Sequence, residues 1–145
     1  MAHREQLRFI ELARETCPDG FTAARVLEVG SWDVNGTVRG QFQDCLYTGA
    51  DVAEGPAVDI VCPGQDLGFP SGSFDTVLSL ECFEPNRFWR ETLANMIRML
   101  CPGGLCLFTC AGPGRAEHGT ARMSRHSSLT SRTGLVKVCL RVLCL

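Results

Sequence analysis

The sequence predicts an α/β domain built on a mostly parallel sheet with helices on both faces. Three observations carry that prediction. Short apolar runs alternate with stretches of helical periodicity, the pattern of strand–helix–strand units joined by right-handed crossovers. The run Val26-Leu27-Glu28-Val29 ends in a glycine-led turn, Gly30-Ser31-Trp32-Asp33-Val34-Asn35-Gly36, as a buried parallel strand does where it opens into a loop. At 145 residues, with 45% hydrophobic and 21% charged residues, the chain has the size and composition of one globular domain.

The elements follow in order. Arg4 to Glu15 places Leu7, Phe9, Ile10 and Leu12 on roughly one helical face, and Cys17-Pro18-Asp19-Gly20 ends the helix. Arg25–Val29 is the first strand, followed by a short helix beginning near Gly36-Thr37-Val38. Cys45–Ala50 and Val58–Cys62 are short extended pieces, and Thr76–Leu80 is the central strand after the Ser71-Gly72-Ser73 turn. Arg87 to Leu100 sets Phe88, Leu93, Met96, Ile97 and Leu100 at helical spacing, a face suited to covering one side of the sheet. Pro102-Gly103-Gly104 breaks this helix, and Leu105–Cys110 is the next strand. Arg115 to Thr133, rich in Ser, Thr and Arg, suits a loop or mobile segment. Leu135 to Leu145 is apolar, with Lys137 and Arg141 four apart, compatible with a strand or an amphipathic helix. The chain thus divides into a domain over 1–114 and a basic Ser/Thr/Arg-rich tail over 115–145 with a short apolar end.

Charge follows the same division. The tail holds six Lys/Arg and one acid, Glu117, so its +5 leaves −7 for residues 1–114 within the net −2. A basic tail can touch nucleic acid, but no aromatic residue is interleaved with these arginines, and a solvated tail is the favoured reading. The nine cysteines include no CxxC pair and no Cys/His cluster at zinc spacing. Several lie in apolar runs, where cysteine packs as a small hydrophobe, and a reduced cytoplasmic setting is expected. There is no signal-peptide pattern, and no run reaches the roughly 20 apolar residues of a membrane span.

Glycine at the end of a buried strand lets backbone approach a ligand closely, and loop N–H groups there can point at it. Asp51 closes the segment Tyr47-Thr48-Gly49-Ala50-Asp51, about 20 residues on, where an acid at the tip of the neighbouring strand can accept from ribose hydroxyls. The segment Asp66 to Ser79 then supplies an acidic loop, a turn and a third strand. In this order the segments from about Ala24 to Gly112 resemble the class I S-adenosylmethionine-dependent methyltransferases, closest to the group often called type 11. That resemblance implies a Rossmann-like, doubly wound sheet. It implies S-adenosyl-L-methionine as cofactor and a small-molecule methyl acceptor as partner. Only 33 residues follow Gly112, and they do not match the helix and antiparallel hairpin that usually complete such domains, so a truncated or divergent C-terminus is expected.

The resemblance also implies roles. Gly30 and Ser31 face the methionine part of the cofactor, and Glu28 helps to place the ammonium, directly or through water. Asp51 takes the ribose hydroxyls. Asp66 accepts from the adenine amino group while the N–H of Leu67 donates to the ring, and Ser79 to Glu81 lie under the sulfonium. Methyl transfer from a sulfonium depends mainly on alignment, so no catalytic group is assigned; Glu81 and Glu84 are the candidates for acid/base work, with His118 reading as solvated. Plainer roles stand beside these. Asp33 and Asn35 can cap the following helix, Asp66 can be a simple loop acid, Asp75 can stabilise the turn before the central strand, and Trp32 can pack or stack on a ligand. Two departures stand out: Ser31-Trp32-Asp33 lacks a second glycine, and Pro85 follows Glu84 where relatives often carry histidine.

Three functions therefore compete. The first is a methyltransferase acting on a small molecule. The second is an inactive, cofactor-binding module or partner subunit. The third, a nicotinamide dehydrogenase, is disfavoured because Gly30 to Gly36 does not supply GxGxxG. A missing C-terminal hairpin exposes the strand at Leu105–Cys110, and the alternation Val136, Val138, Leu140, Val142, Cys144 offers a partner for it; failing that, the edge favours self-association.

Overall fold

In the computed structural model, which describes residues 4–34, 36–83, 86–111 and 135–141, six strands form a single sheet. Helix α1 is Arg4–Thr16; strands β1 to β4 are Arg25–Val29, Leu46–Asp51, Ile60–Val61 and Phe74–Leu80; helix α2 is Trp89–Met99; β5 is Leu100–Ala111 and β6 is Leu135–Arg141. The order across the sheet is β3-β2-β1-β4-β5-β6. The first five strands run parallel and β6 runs antiparallel beside β5.

Alternation of side chains along each strand divides the core into two layers. Val26, Leu78, Leu80, Leu105 and Leu107 pack with Ile10 and Ala13 of α1. Leu27, Val29, Val77 and Cys106 pack with Met96 and Met99 of α2 on the other face. Val26, Leu27, Val77 and Leu78 are fully buried, which is why the central strands read as continuous apolar runs rather than as alternation. Two buried polar contacts fix the α1 layer: Gln6 Nε2 donates to Thr109 Oγ1 at 3.3 Å, and Thr76 Oγ1 donates to the Gly20 carbonyl at 2.7 Å.

The expected elements are present, with several differences; β5 for one starts at Leu100 rather than Leu105 and takes in Pro102-Gly103-Gly104, which was expected only to break the helix before it. Among the described residues no α-helix begins near Gly36. The segment holds one 3-10 turn, Arg39–Gln41, and the Asp33 carboxylate, expected as a helix cap, accepts from the Gly36 N–H at 2.6 Å. Gly36 has φ +117°, outside the right-handed helical region, so the chain turns there instead of winding. The piece expected over Val58–Cys62 pairs only at Ile60 and Val61. Asp75 does not brace a turn: it lies in β4 and grips Arg25 at the start of β1, Oδ2 accepting from Nε at 3.0 Å and Oδ1 from an Nη at 2.8 Å. The apolar end of the chain, left open between strand and helix, is a strand, and it lies beside β5 as the exposed-edge argument anticipates. The expectations for residues 115–133, Asn35, Glu84 and His118 fall outside the described residues.

At the amino ends of β1, β4 and β5 a cavity of about 340 Å³ is lined by Asp19, Ala24, Asp75, Cys101, Gly104 and Arg141. No helix among the described residues is long and apolar enough to cross a membrane.

Candidate functional site

The chain leaves β1 toward β2 on one side and β4 on the other, so the strand order reverses at β1. In open parallel sheets the crevice outside the carboxyl ends at such a point is where ligands bind. The cavity described above lies at the opposite end of the sheet. The residues implicated by the sequence gather at the carboxyl end.

Gly30 follows β1 with φ +84°, and a Cβ there would come within 2.7 Å of Cys82, so only glycine lets the β1 loop cross the end of β4. Ser31 is buried over Gly49, where a Cβ would meet Ser31 Oγ at 2.6 Å and the Ala57 carbonyl at 2.3 Å. Ser79, fully buried, is the last residue but one of β4. The hydroxyls of Ser31 and Ser79 have no hydrogen-bond partner among the described residues. Buried hydroxyls without a partner cost free energy, so these two mark a place where a polar group belongs. Glu81 follows with φ +58°, an uncommon conformation for a residue with a side chain, and its N–H donates to the Thr109 carbonyl at 3.0 Å.

The β1 loop itself differs from expectation. Its N–H groups turn inward: Gly30 and Ser31 both donate to the Ala50 carbonyl at 2.8 and 3.1 Å, and Asp33 donates to the Pro56 carbonyl at 2.9 Å. Trp32 N–H donates to Asp51 Oδ2 at 3.3 Å, while Asp51 Oδ1 accepts from Ala53 N–H at 3.2 Å. The Trp32 ring rests on Gly55 and remains 42% exposed. Asp51 therefore sits at the tip of β2, where it was placed from sequence, and ties the β1 loop to the β2–β3 loop.

Glu28 lies on the α1 side of the sheet, buried, with Oε2 accepting from the Tyr47 hydroxyl at 2.7 Å. Burial holds its carboxyl above the ordinary range, only partly offset by that hydrogen bond. Burial likewise raises the Tyr47 hydroxyl, and the neighbouring carboxylate adds to the effect. The Arg39 guanidinium lies 4.7 Å from the centre of the Tyr47 ring and pairs with Asp59. Burial works against the Asp59 carboxylate, yet the Gly49 N–H, at 2.7 Å, and Arg39 together hold it below its usual value.

Asp66 is exposed on a 3-10 turn after β3, next to Gln65, whose side chain reaches it at 3.5 Å. Leu67 puts its side chain into the α2-side core. This segment is fastened to α2: Asn95 Nδ2 donates to the Gly64 and Leu67 carbonyls at 2.8 and 3.0 Å, and Arg98 donates to the carbonyls of Phe69 and Leu67. The structure thus brings Gly30, Ser31 and Asp51 together around the end of β1, with Ser79 beneath. Asp66 and Leu67 lie on a separate turn beyond β3, and Glu28 lies beneath the sheet. Sequence reasoning missed Asn95, Arg98, Tyr47 and Asp59. Only Asn95 and Arg98 carried a trace, as polar positions three apart on the outer side of a helix.

Residues 41–108 match the family model described as a methyltransferase domain. The match covers a little under half of the chain and takes in β2 to β5 up to Phe108, while β1 and its loop precede it. No curated protein matches the chain. Among solved structures, the chain is similar to the 1,6-didemethyltoxoflavin-N1-methyltransferase of Burkholderia thailandensis, at 22% identity and TM-score 0.59, covering 77% of this chain and 57% of that one. It is similar to the phosphoethanolamine N-methyltransferase 2 of Haemonchus contortus, at 22% identity and TM-score 0.54, covering 83% of this chain and 35% of that one. The cyclase SpnF is a further likeness, at 20% identity and TM-score 0.58, over 81% of this chain and 48% of that one. At these identities the likeness is one of fold, and the chain spans about half the length of the solved structures it matches, or less.

Proposed function

We propose that the chain binds S-adenosylmethionine in the crevice at the carboxyl ends of β1, β2 and β4 and transfers its methyl group to a small-molecule acceptor. The observation that carries this reading is the pair of buried hydroxyls without a partner among the described residues, Ser31 and Ser79, flanking the switch point, Ser79 within the methyltransferase-domain match and Ser31 just before it. The proteins from Burkholderia and Haemonchus were crystallised with S-adenosylhomocysteine and S-adenosylmethionine, respectively.

The cofactor supplies an electrophilic methyl group on a sulfonium. The residues of the chain position and shield it. Gly30 permits close approach of the loop, and the hydroxyls of Ser31 and Ser79 pair with polar groups of the methionine portion. Asp51 accepts from the ribose hydroxyls as well as from its two backbone donors. Asp66 and the Leu67 N–H, fixed by Asn95 and Arg98, meet the adenine edge. Glu28, one oxygen of which already takes Tyr47, biases the electrostatics beneath the ammonium. Glu81, at the end of the central strand, is the acid/base candidate among the described residues, and an amine or carboxylate acceptor needs none.

Isothermal titration of the purified chain with S-adenosylhomocysteine, with NAD and with buffer tests the reading. Binding heat for S-adenosylhomocysteine alone is expected, and heat for NAD alone overturns it.

A second reading, a module that binds the cofactor without turnover, draws on one specific observation. Four successive N–H groups of the β1 loop, Gly30 to Asp33, are already engaged by Ala50, Asp51 and Pro56. The similarity to SpnF, a cyclase, agrees with the general point that this fold does not fix the reaction. Binding of S-adenosylmethionine that remains intact when amine, carboxylate and hydroxyl acceptors are supplied would select this reading over the first.

A further inference from the structure

We propose that Cys17 and Cys139 form a redox-switched clamp that fastens β6 to the end of α1. Cys17 follows α1 directly and is buried; Cys139 is an exposed residue of β6 paired with Leu107, which places it on the α1 side of the sheet. The two thiols share a hydrogen bond. Two residues further along each segment, Asp19 and Arg141 form an ion pair, and the Arg141 guanidinium also donates to Cys17. The segments 17–19 and 139–141 are thus held against each other by two adjacent cross-contacts before any covalent bond forms. Such fixed proximity is what turns a slow encounter of two thiols into a favourable intramolecular step.

Neighbouring thiols are differently engaged. Cys45 donates to the Gln43 carbonyl, Cys62 to the Pro63 carbonyl and Cys101 to Asp75. Burial pushes the Cys106 thiol up to about 11; burial and the neighbouring Cys17 raise the Cys139 thiol too, but there the Arg141 guanidinium opposes the rise.

The oxidant is a small disulfide such as glutathione disulfide. The exposed Cys139 thiolate attacks one of its sulfurs, its S–S bond breaks, and one glutathione leaves as a thiolate that takes up a proton. Cys17, as thiolate, then attacks the Cys139 sulfur of the mixed disulfide and expels the second glutathione. The protein loses two protons and two electrons, and two glutathione thiols are formed. In a reducing setting the reverse exchange returns both thiols, leaving β6 held by its backbone pairing with β5 and by the Asp19–Arg141 pair. Oxidation adds a covalent cross-link across most of the chain, closing the large loop in which long-range disulfides stabilise most.

The full chain is equilibrated in glutathione buffers of graded oxidation, alkylated, digested without reduction and analysed by mass spectrometry, with melting followed in parallel. The expected result is a linked peptide pair joining Cys17 to Cys139 that appears at oxidising ratios, with a rise in melting temperature of roughly 10 °C. Cys139→Ser, at an exposed position, is expected to lose both signals while melting as the reduced parent does. Cys17→Ala provides a second check on the linked pair. Glutathione remaining on Cys139 without a linked pair overturns the proposal. So does a dominant linkage between other cysteines, or the absence of any change in mass.

Discussion

The Tyr47 hydroxyl, on β2, donates a 2.7 Å hydrogen bond to the Glu28 carboxylate on the adjacent strand β1, joining a buried acid to a half-buried aromatic beneath the candidate site. A charged carboxylate in this place loses water and regains one donor that is itself neutral. The pair therefore orients Glu28 more than it stabilises its charge.

A pH dependence follows from that imbalance. Because burial raises the folded-state proton affinity of Glu28 above its ordinary value of 4.5, the folded chain binds the proton more tightly than the unfolded chain. This contribution to stability is fully present below the ordinary value and is lost as pH rises through the raised folded value. Glu28→Gln keeps an acceptor for Tyr47 and cannot ionise. It is expected to remove this part of the decline with rising pH and to melt at pH 7 no lower than the parent. Melting curves from pH 4 to 8 check it, and parallel pH profiles for parent and variant would refute the assignment.

Asp75 is opposite in sign. Its hydrogen bonds from Arg25, opposed by burial, bring the carboxyl from 3.8 down to about 2. Its contribution is present above the unfolded value and fades as pH falls through the folded one. The pair is partly exposed, so Asp75→Ala is expected to destabilise by only about 1 kcal/mol at pH 7, with the difference from the parent shrinking as the solution is acidified from about 4 toward 2. Urea melts at several pH values measure it. A gap that persists undiminished at the acid end would mean that Asp75 acts through packing.

At the tip of β2 a binding effect is expected. Asp51→Ala removes the proposed ribose acceptor and is expected to weaken S-adenosylhomocysteine binding by roughly 1.5–3 kcal/mol. It also frees the Trp32 and Ala53 N–H groups, so Asp51→Asn, which keeps one acceptor oxygen, is expected to retain more affinity and to keep the loop in place. Titration calorimetry with Trp32 fluorescence separates the two roles. Unchanged affinity in Asp51→Ala would remove this residue from the site.

How much of this was legible in the sequence depended on range. The run Val26 to Gly30 was readable because burial on both faces writes an apolar run and a positive φ selects glycine, both of them local rules. The Gly36 segment misled because Asp33 and Gly36 signal a helix start and a tight turn equally well. Asp75 and Arg25 lie 50 residues apart, and no local pattern announces that parallel pairing will bring them together. Asn95 and Arg98 look like a solvated helix face, yet they hold the turn at Leu67. Leu135 to Leu145 was ambiguous because so short an apolar run satisfies either period, and the neighbouring strand decided it.

That neighbouring strand supplies the last test. β5 carries Leu105 and Leu107 in the α1-side core, and its outer edge is paired with β6 from Leu105↔Arg141 to Ala111↔Leu135. Removing β6 uncovers a row of backbone donors and acceptors on a strand rich in apolar residues, the situation in which edges recruit other strands. It also breaks the Asp19–Arg141 pair that fastens β6 to the segment after α1. Deleting residues 134–145 is therefore expected to lower the melting temperature and to shift the chain from monomer toward dimers or larger species as concentration rises. Light scattering and sedimentation across a concentration series read the mass directly. Arg141→Ala breaks the ion pair but leaves the backbone ladder, and is expected to melt slightly lower without associating. A deleted chain that stays monomeric and melts with the parent would show that the edge of β5 is protected by something other than β6.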